Sequence, residues 1–119
     1  MPQSTSEVRE IKDILEQLRN NVIERMNKDE KFRSKLEKID KKFSVDFDGS
    51  IFYHFSISNG HISEIMDGKE DGDISISVES EVFRKILAKE LDPMEAYFEK
   101  KIRVKASLLD KLFLTELFK

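Results

Sequence analysis

The sequence contains no cysteine and no tryptophan, and only four glycines and two prolines. Without thiols there is no disulfide framework, no thiolate nucleophile and no thiolate metal site, so redox compartment is left open by this argument. No Gly-x-Ser-x-Gly elbow and no glycine-rich phosphate loop is present, which sets aside the serine hydrolases and nucleotide-binding folds those motifs announce. No apolar run approaches the ~18 residues a membrane span needs. The polar N-terminus lacks a signal-peptide core, and the final Leu-Phe-Lys is not the peroxisomal Ser-Lys-Leu address, so a cytoplasmic protein is expected. A net charge of −3 gives nucleic acid no bulk electrostatic reason to bind.

What is present is 119 residues, 39% apolar and 38% charged, enough for one core beneath a heavily solvated surface. Met1 to Ser6 is polar and expected to fray. Val8, Ile11, Leu15, Leu18 and Val22 then recur at spacings of three and four, with Ile14 and Met26 widening the stripe, which predicts an amphipathic helix from Glu7 to about Asn27. It suits a helix laid on a sheet, or less readily a coiled-coil seam. Asp29 is placed to cap a shorter helix carrying Phe32, Leu36 and Ile39. From Phe43 the period changes to two. Phe43, Val45 and Phe47 form one strand face, Asp48-Gly49-Ser50 a turn, and Ile51, Tyr53, Phe55 and Ile57 the next strand face. Asn59-Gly60 is a strong hairpin signal, with His61 to Met66 as the returning strand. In that register Ser58 faces His61, His54 faces Ile65 and Tyr53 faces Met66. Residues Ile74, Ile76 and Val78 form a fourth strand and Ile102, Val104 and Ala106 a fifth. Between them run two helices, the first carrying Val82, Phe83, Ile86, Leu87 and Leu91, the second opened by Asp92-Pro93 as cap and first helical residue.

The groups that could carry chemistry are few. The acidic loop from Asp67 to Asp73 fails as a twelve-residue calcium loop, because Lys69 and Val78 would stand where oxygen ligands are needed. His54 and His61 are not opposite one another in the expected hairpin and lack further ligands for zinc. Asp46 and Asp48 share a polar strand face, where solvated carboxylates are commoner than catalytic pairs. No catalytic residue, metal or cofactor is therefore expected. Lys101, Arg103 and Lys105 alternate onto one face of the last strand, a solvated stripe that also suits weak, transient contact with anionic lipid head groups at a membrane surface.

The chain ends on Leu108, Leu109, Leu112, Phe113, Leu114, Leu117 and Phe118, spread around most of a helix rather than along one stripe. Such a helix must be covered on more than one side. One side suits the sheet; the other calls for a ligand, a subunit or a neighbouring helix.

The order of elements from Asp73 onward, with Glu81-Val82-Phe83, the Leu91-Asp92-Pro93 joint, Ala96-Tyr97-Phe98, the basic strand Lys100 to Lys105 and the leucine-rich tail, resembles the sterol carrier protein family. The likeness extends upstream to Phe43 and covers roughly the last two thirds of the chain, with residues 1–42 as a helical lead-in to a single domain spanning 1–119. Ala88, Glu99 and Ala106 stand near places where the family usually carries glycine. The resemblance implies an α+β fold, a five-stranded mixed, mainly antiparallel sheet with helices on one side. It also implies a non-enzymatic protein binding or transferring a fatty acyl, acyl-CoA, sterol or isoprenoid-type lipid in an apolar tunnel closed by the C-terminal helix. The apolar helical faces then nominate Phe83, Ile86, Leu87, Met94, Tyr97, Phe98, Leu109, Leu112 and Phe113 as lining. The alternative is a homodimeric interaction module of the same fold with a filled core.

Overall fold

The computed structural model describes residues 5–117, with side chains described for 10–115. Expectations for Met1 to Ser4 and Phe118, and for the side chains of Val8 and Leu117, lie outside those residues. Helix α1 (Thr5–Lys28) begins two residues before its expected start. Asp29 caps α2 (Glu30–Glu37) as its position predicts, its carboxylate accepting the Phe32 N–H at 3.1 Å. Strands β1 (Asp40–Phe47) and β2 (Ile51–Ser58) form a hairpin with Phe43 opposite Phe55, their rings stacked at 4.8 Å. Asn59 and Gly60 both take positive φ, 52° and 79°, as the turn between Ser58 and His61 requires.

The returning strand departs from its expected form. It is two short pieces, β3 (His61–Ile62) and β4 (Met66–Asp67), so the five expected strands become six. Ile57 pairs with Ile62 but His54 pairs with Met66, and Tyr53 with Asp67. Two residues of β2 therefore stand opposite three, Ser63, Glu64 and Ile65, which is a β-bulge. The extra residue shifts the side-chain alternation, so Ile62 and Ile65 both turn into the core instead of to opposite faces. Its backbone is satisfied elsewhere. Arg19 of α1 donates to the carbonyls of Ser63 at 2.8 Å and Ile62 at 2.9 Å, while the Ser56 N–H donates to Ser63 Oγ.

Strand β5 (Ile74–Val78) lies parallel to β1, and β6 (Ile102–Lys105) antiparallel to β5, giving the order β3-β2-β1-β5-β6 with β4 also on β2. Between them run α3 (Ser80–Leu87) and α4 (Pro93–Phe98), and α5 (Leu108–Leu117) follows β6. Asp92 caps α4 through the Glu95 N–H, with Pro93 at the first helical position, as expected. Helix α3 stops at Leu87, four residues short of Leu91. Its end and that of α4 share one cause: Lys89 (φ 61°) and Lys100 (φ 64°) adopt the left-handed region just after Ala88 and Glu99. The next N–H reaches back, Glu90 to the Lys85 carbonyl at 2.9 Å and Lys101 to that of Ala96 at 2.8 Å, closing each helix with a Schellman turn.

All helices cover one face of the sheet. One apolar cluster joins Ile11 of α1 and Phe83 of α3 to Val45, Phe47, Tyr53 and Val78; the other joins Met26, Phe32, Leu36 and Leu114 to Phe43, Ile57 and Ile74. The opposite face is polar, with the Ser44 and Ser75 hydroxyls hydrogen bonded at 2.9 Å.

Candidate functional site

The last helix is where apolar surface and fold disagree. Ser107 Oγ accepts the Asp110 N–H at 3.2 Å and opens α5. On the sheet side Leu114 is buried and Phe113 tilts against Phe43 with ring centroids 6.3 Å apart. Below these residues Phe43, Ile74, Ile76, Val104 and Ala106 make an apolar floor. Asp110 is also turned inward, 3.6 Å from the Lys41 ammonium. On the outward side Leu108, Leu109 and Leu112 are 74%, 77% and 56% exposed. Burying a leucine is worth ~1.5–3 kcal/mol, so three exposed leucines forgo a large stabilisation.

Helix α4 runs beside α5. Lys111 reaches over the Tyr97 ring, 5.7 Å from its centroid, and Thr115 Oγ1 meets Met94 Sδ at 4.0 Å. Phe98 stands edge-on to Tyr97 at 5.8 Å and is itself 73% exposed. Met94, Tyr97 and Phe98 thus lie on α4 beside α5, Leu109 and Leu112 are exposed on α5, and Phe113 is on its underside. The remaining three nominated residues lie elsewhere. Phe83 is buried against Phe47 at 5.0 Å, Leu87 borders the same cluster, and Ile86 is half-buried on α3. The nine therefore divide between two places. Apolar spacing identified the helical faces but missed the floor; the alternation of Phe43, Ile74 and Val104 carried that signal.

The polar candidates have structural partners. Both Asp48 oxygens accept from Ser80, the N–H at 3.0 Å and the hydroxyl at 2.8 Å, so this carboxylate caps α3 from outside the helix. Asp46 accepts from the Gly49 N–H and the Ser77 hydroxyl. His54 joins the loop after β4, with Nδ1 3.0 Å from the Gly68 carbonyl oxygen and Nε2 3.3 Å from a Glu70 carboxylate oxygen. An open cleft of about 480 Å³ is lined by Asp71, Asp73, Ser75, Lys105 and Ser107 with Gly72 and Ala106. Its walls are mostly polar, and none of the nine nominated residues lines it.

A model of the SCP-2 sterol transfer family matches residues 20–111. The chain belongs to that family. Membership makes this a lipid-binding or lipid-transfer domain by class, and the fold agrees. A structure of the ubiquinone synthesis protein UbiJ-SCP2 superposes with a TM-score of 0.62 at 17% identity, covering 99% of this chain and 93% of that one. Sterol carrier protein 2 gives 0.60 at 13% identity, covering 86% and 91%. The stereoselective inverting sec-alkylsulfatase Pisa1 from Pseudomonas sp. gives 0.54 at 16% identity over 72% of this chain, which spans only 13% of the sulfatase. At these identities the likenesses speak for the fold alone. No curated protein sequence matches the chain. Among the described residues no helix is long and apolar enough to cross a membrane.

Proposed function

We propose that this member of the SCP-2 sterol transfer family carries one apolar ligand of the fatty acyl, acyl-CoA, sterol or isoprenoid type between α5 and the sheet floor. The observation that supports it is α5 itself, apolar on both sides yet covered on one. A ligand seated on Phe43, Ile74 and Val104 would displace Phe113 and Leu114 from that floor. Helix α5 would then act as a mobile cover, with Leu109, Leu112 and the α4 side chains closing over the chain. Each buried methylene gains about 0.8 kcal/mol over water, so a sixteen-carbon chain gains roughly 12 kcal/mol gross before ordering costs. A membrane offers nearly the same, so transfer exchanges two similar environments and needs a cover that moves, with no covalent step.

Displacement of a fluorescent fatty acid tests this directly. Wild-type protein is expected to bind it saturably, and Phe113→Asp to weaken binding more than Phe52→Asp, since Phe52 lies on the other sheet face beneath Lys69. No binding above nonspecific levels would reject the carrier reading, while equal losses in the two variants would mean global unfolding instead. The second reading is a non-enzymatic dimeric module, favoured by Phe113 and Leu114 already filling the space under α5. Light scattering that finds a stable dimer, with no lipid extracted from it, would establish that reading instead.

A further inference from the structure

We infer that Lys41 is the anchor for a carboxylate at the end of the apolar ligand, and that Asp110 occupies this anchor until the ligand arrives. That role rests on the carrier reading and narrows its ligand to a carboxylate-ended chain of the fatty acid type. Asp110, Phe113 and Leu114 stand at helical spacings of three and four, so one carboxylate shares the underside of α5 with the two side chains that rest on the sheet floor. A carboxylate buried there is costly unless paired. Its ionic partner among the described residues is Lys41, at 3.6 Å. Lys41 lies two residues before Phe43 in β1, and alternation puts both on the helix side of the sheet, with Lys41 half-buried and Lys42 exposed. The ammonium therefore stands at the end of the floor on which the ligand is proposed to lie.

Movement of α5 splits this pair. Lifting Phe113 and Leu114 from the floor carries Asp110 away with them, because all three share one helical face. Asp110 then returns to water, where its charge is solvated, while Lys41 stays on the strand beside the incoming chain. An ammonium covered by hydrocarbon and stripped of its anion is unfavourable, and a carboxylate on the ligand restores the pair that the helix gave up. A hydroxyl, whether a sterol's or a fatty alcohol's, brings no charge to restore it. Other cations on this side of the sheet are held differently. Arg19 donates to the Ile62 and Ser63 carbonyls and Arg25 lies 3.8 Å over the Phe32 ring, partners that do not ride on α5. Helix and head group thus exchange at Lys41, so the same cation holds the cover down when the site is filled by Phe113 and Leu114 and selects the guest when it is not.

Equilibrium binding of radiolabelled hexadecanoate and hexadecanol at neutral pH tests this, with two probes of equal chain length that differ in head group. Wild-type protein is expected to bind hexadecanoate about tenfold or more tightly than hexadecanol. Lys41→Gln should bring that ratio to about one, and Lys41→Arg, which keeps the charge, should retain most of it. Asp110→Asn should tighten both probes several-fold and leave their ratio as in wild type, since it frees the helix without touching the anchor. A merely structural ion pair predicts that Lys41→Gln shifts both probes alike with the ratio unchanged, and that result overturns the proposal. So does an Asp110→Asn protein that binds hexadecanoate no better than wild type. The wild-type ratio and the Asp110→Asn affinities decide the matter even if Lys41→Gln fails to fold. Equal binding of the two probes by wild type refutes the anchor and leaves the carrier reading standing, whereas saturable binding of neither rejects the carrier reading itself.

Discussion

Replacing Lys89 and Lys100 with glycine should stabilise this protein. Both lysines hold left-handed backbone, φ 61° and 64°, at the position just past a helix where glycine is the usual residue. An L-residue with a Cβ is disfavoured there by about 1–2 kcal/mol. Glycine relieves that strain but gains freedom in the unfolded chain, which takes back roughly 0.4–1 kcal/mol. The net expectation is about 0.5–1 kcal/mol of added stability at each site. The closing hydrogen bonds survive because both partners are backbone, Glu90 to Lys85 and Lys101 to Ala96. The two turns share no hydrogen bond, so their effects should add to about 1–2 kcal/mol, or about 5 °C in melting temperature for a chain of this size. Thermal melts and urea titrations followed by circular dichroism would read this, with the midpoint rising and the slope unchanged. Lys89→Ala is the control, since alanine keeps the Cβ and should bring no such gain. If alanine stabilises as much as glycine, or glycine does nothing at either position, the strain argument is wrong.

Three other perturbations follow from the geometry. Arg19→Ala removes two charge-assisted hydrogen bonds to the bulge carbonyls of Ile62 and Ser63, and should lower the unfolding free energy by about 2–4 kcal/mol, with Arg19→Lys recovering only part of it. Gly72→Ala would place a Cβ 2.9 Å from the Lys42 carbonyl oxygen and 3.1 Å from the Ser44 nitrogen, both backbone, so urea unfolding should show a loss of about 1–3 kcal/mol. The Tyr53 phenol is held above its ordinary value of about 10, first by burial and then by the carboxylates of Asp67 and Asp13. Above that pH the unfolded tyrosine ionises while the folded one resists, so the unfolded state binds fewer protons and stability falls with rising pH. Tyr53→Phe should flatten that alkaline fall in urea midpoints; an unchanged slope would mean Tyr53 does not contribute to it.

Much of the architecture was legible because it depends on local rules. Periods of 3.6 and 2 located the helices and strands, Asp29 and Asp92 marked their caps, and Asn59-Gly60 marked the turn. The bulge was not legible. Extending the hairpin register from the turn puts Ile65 opposite His54, and only burial of both Ile62 and Ile65, with Arg19 arriving from another element, makes an extra residue favourable. The early end of α3 was hidden for a related reason. Nothing local to Lys89 announces a left-handed backbone; the connection to α4 imposes it. Asp46 and Asp48 read in one dimension as solvated carboxylates on a shared strand face. In three they are partners of Ser77, Gly49 and Ser80.

By itself the sequence determined the kinds of element, their order, the face of each strand that is apolar, and a final helix with more oil than one contact can cover. These are properties of neighbouring residues and of spacing, which survive without knowing where the chain goes next. Tertiary structure alone decided which apolar residues meet. It sent Phe83 and Leu87 to one end of the core, set Phe113 on Phe43, and left Leu108, Leu109, Leu112 and Phe98 facing outward. Burial is a relation between distant segments, so spacing can nominate a sticky face but only packing shows whether that face is spent inside the protein or kept for something outside it.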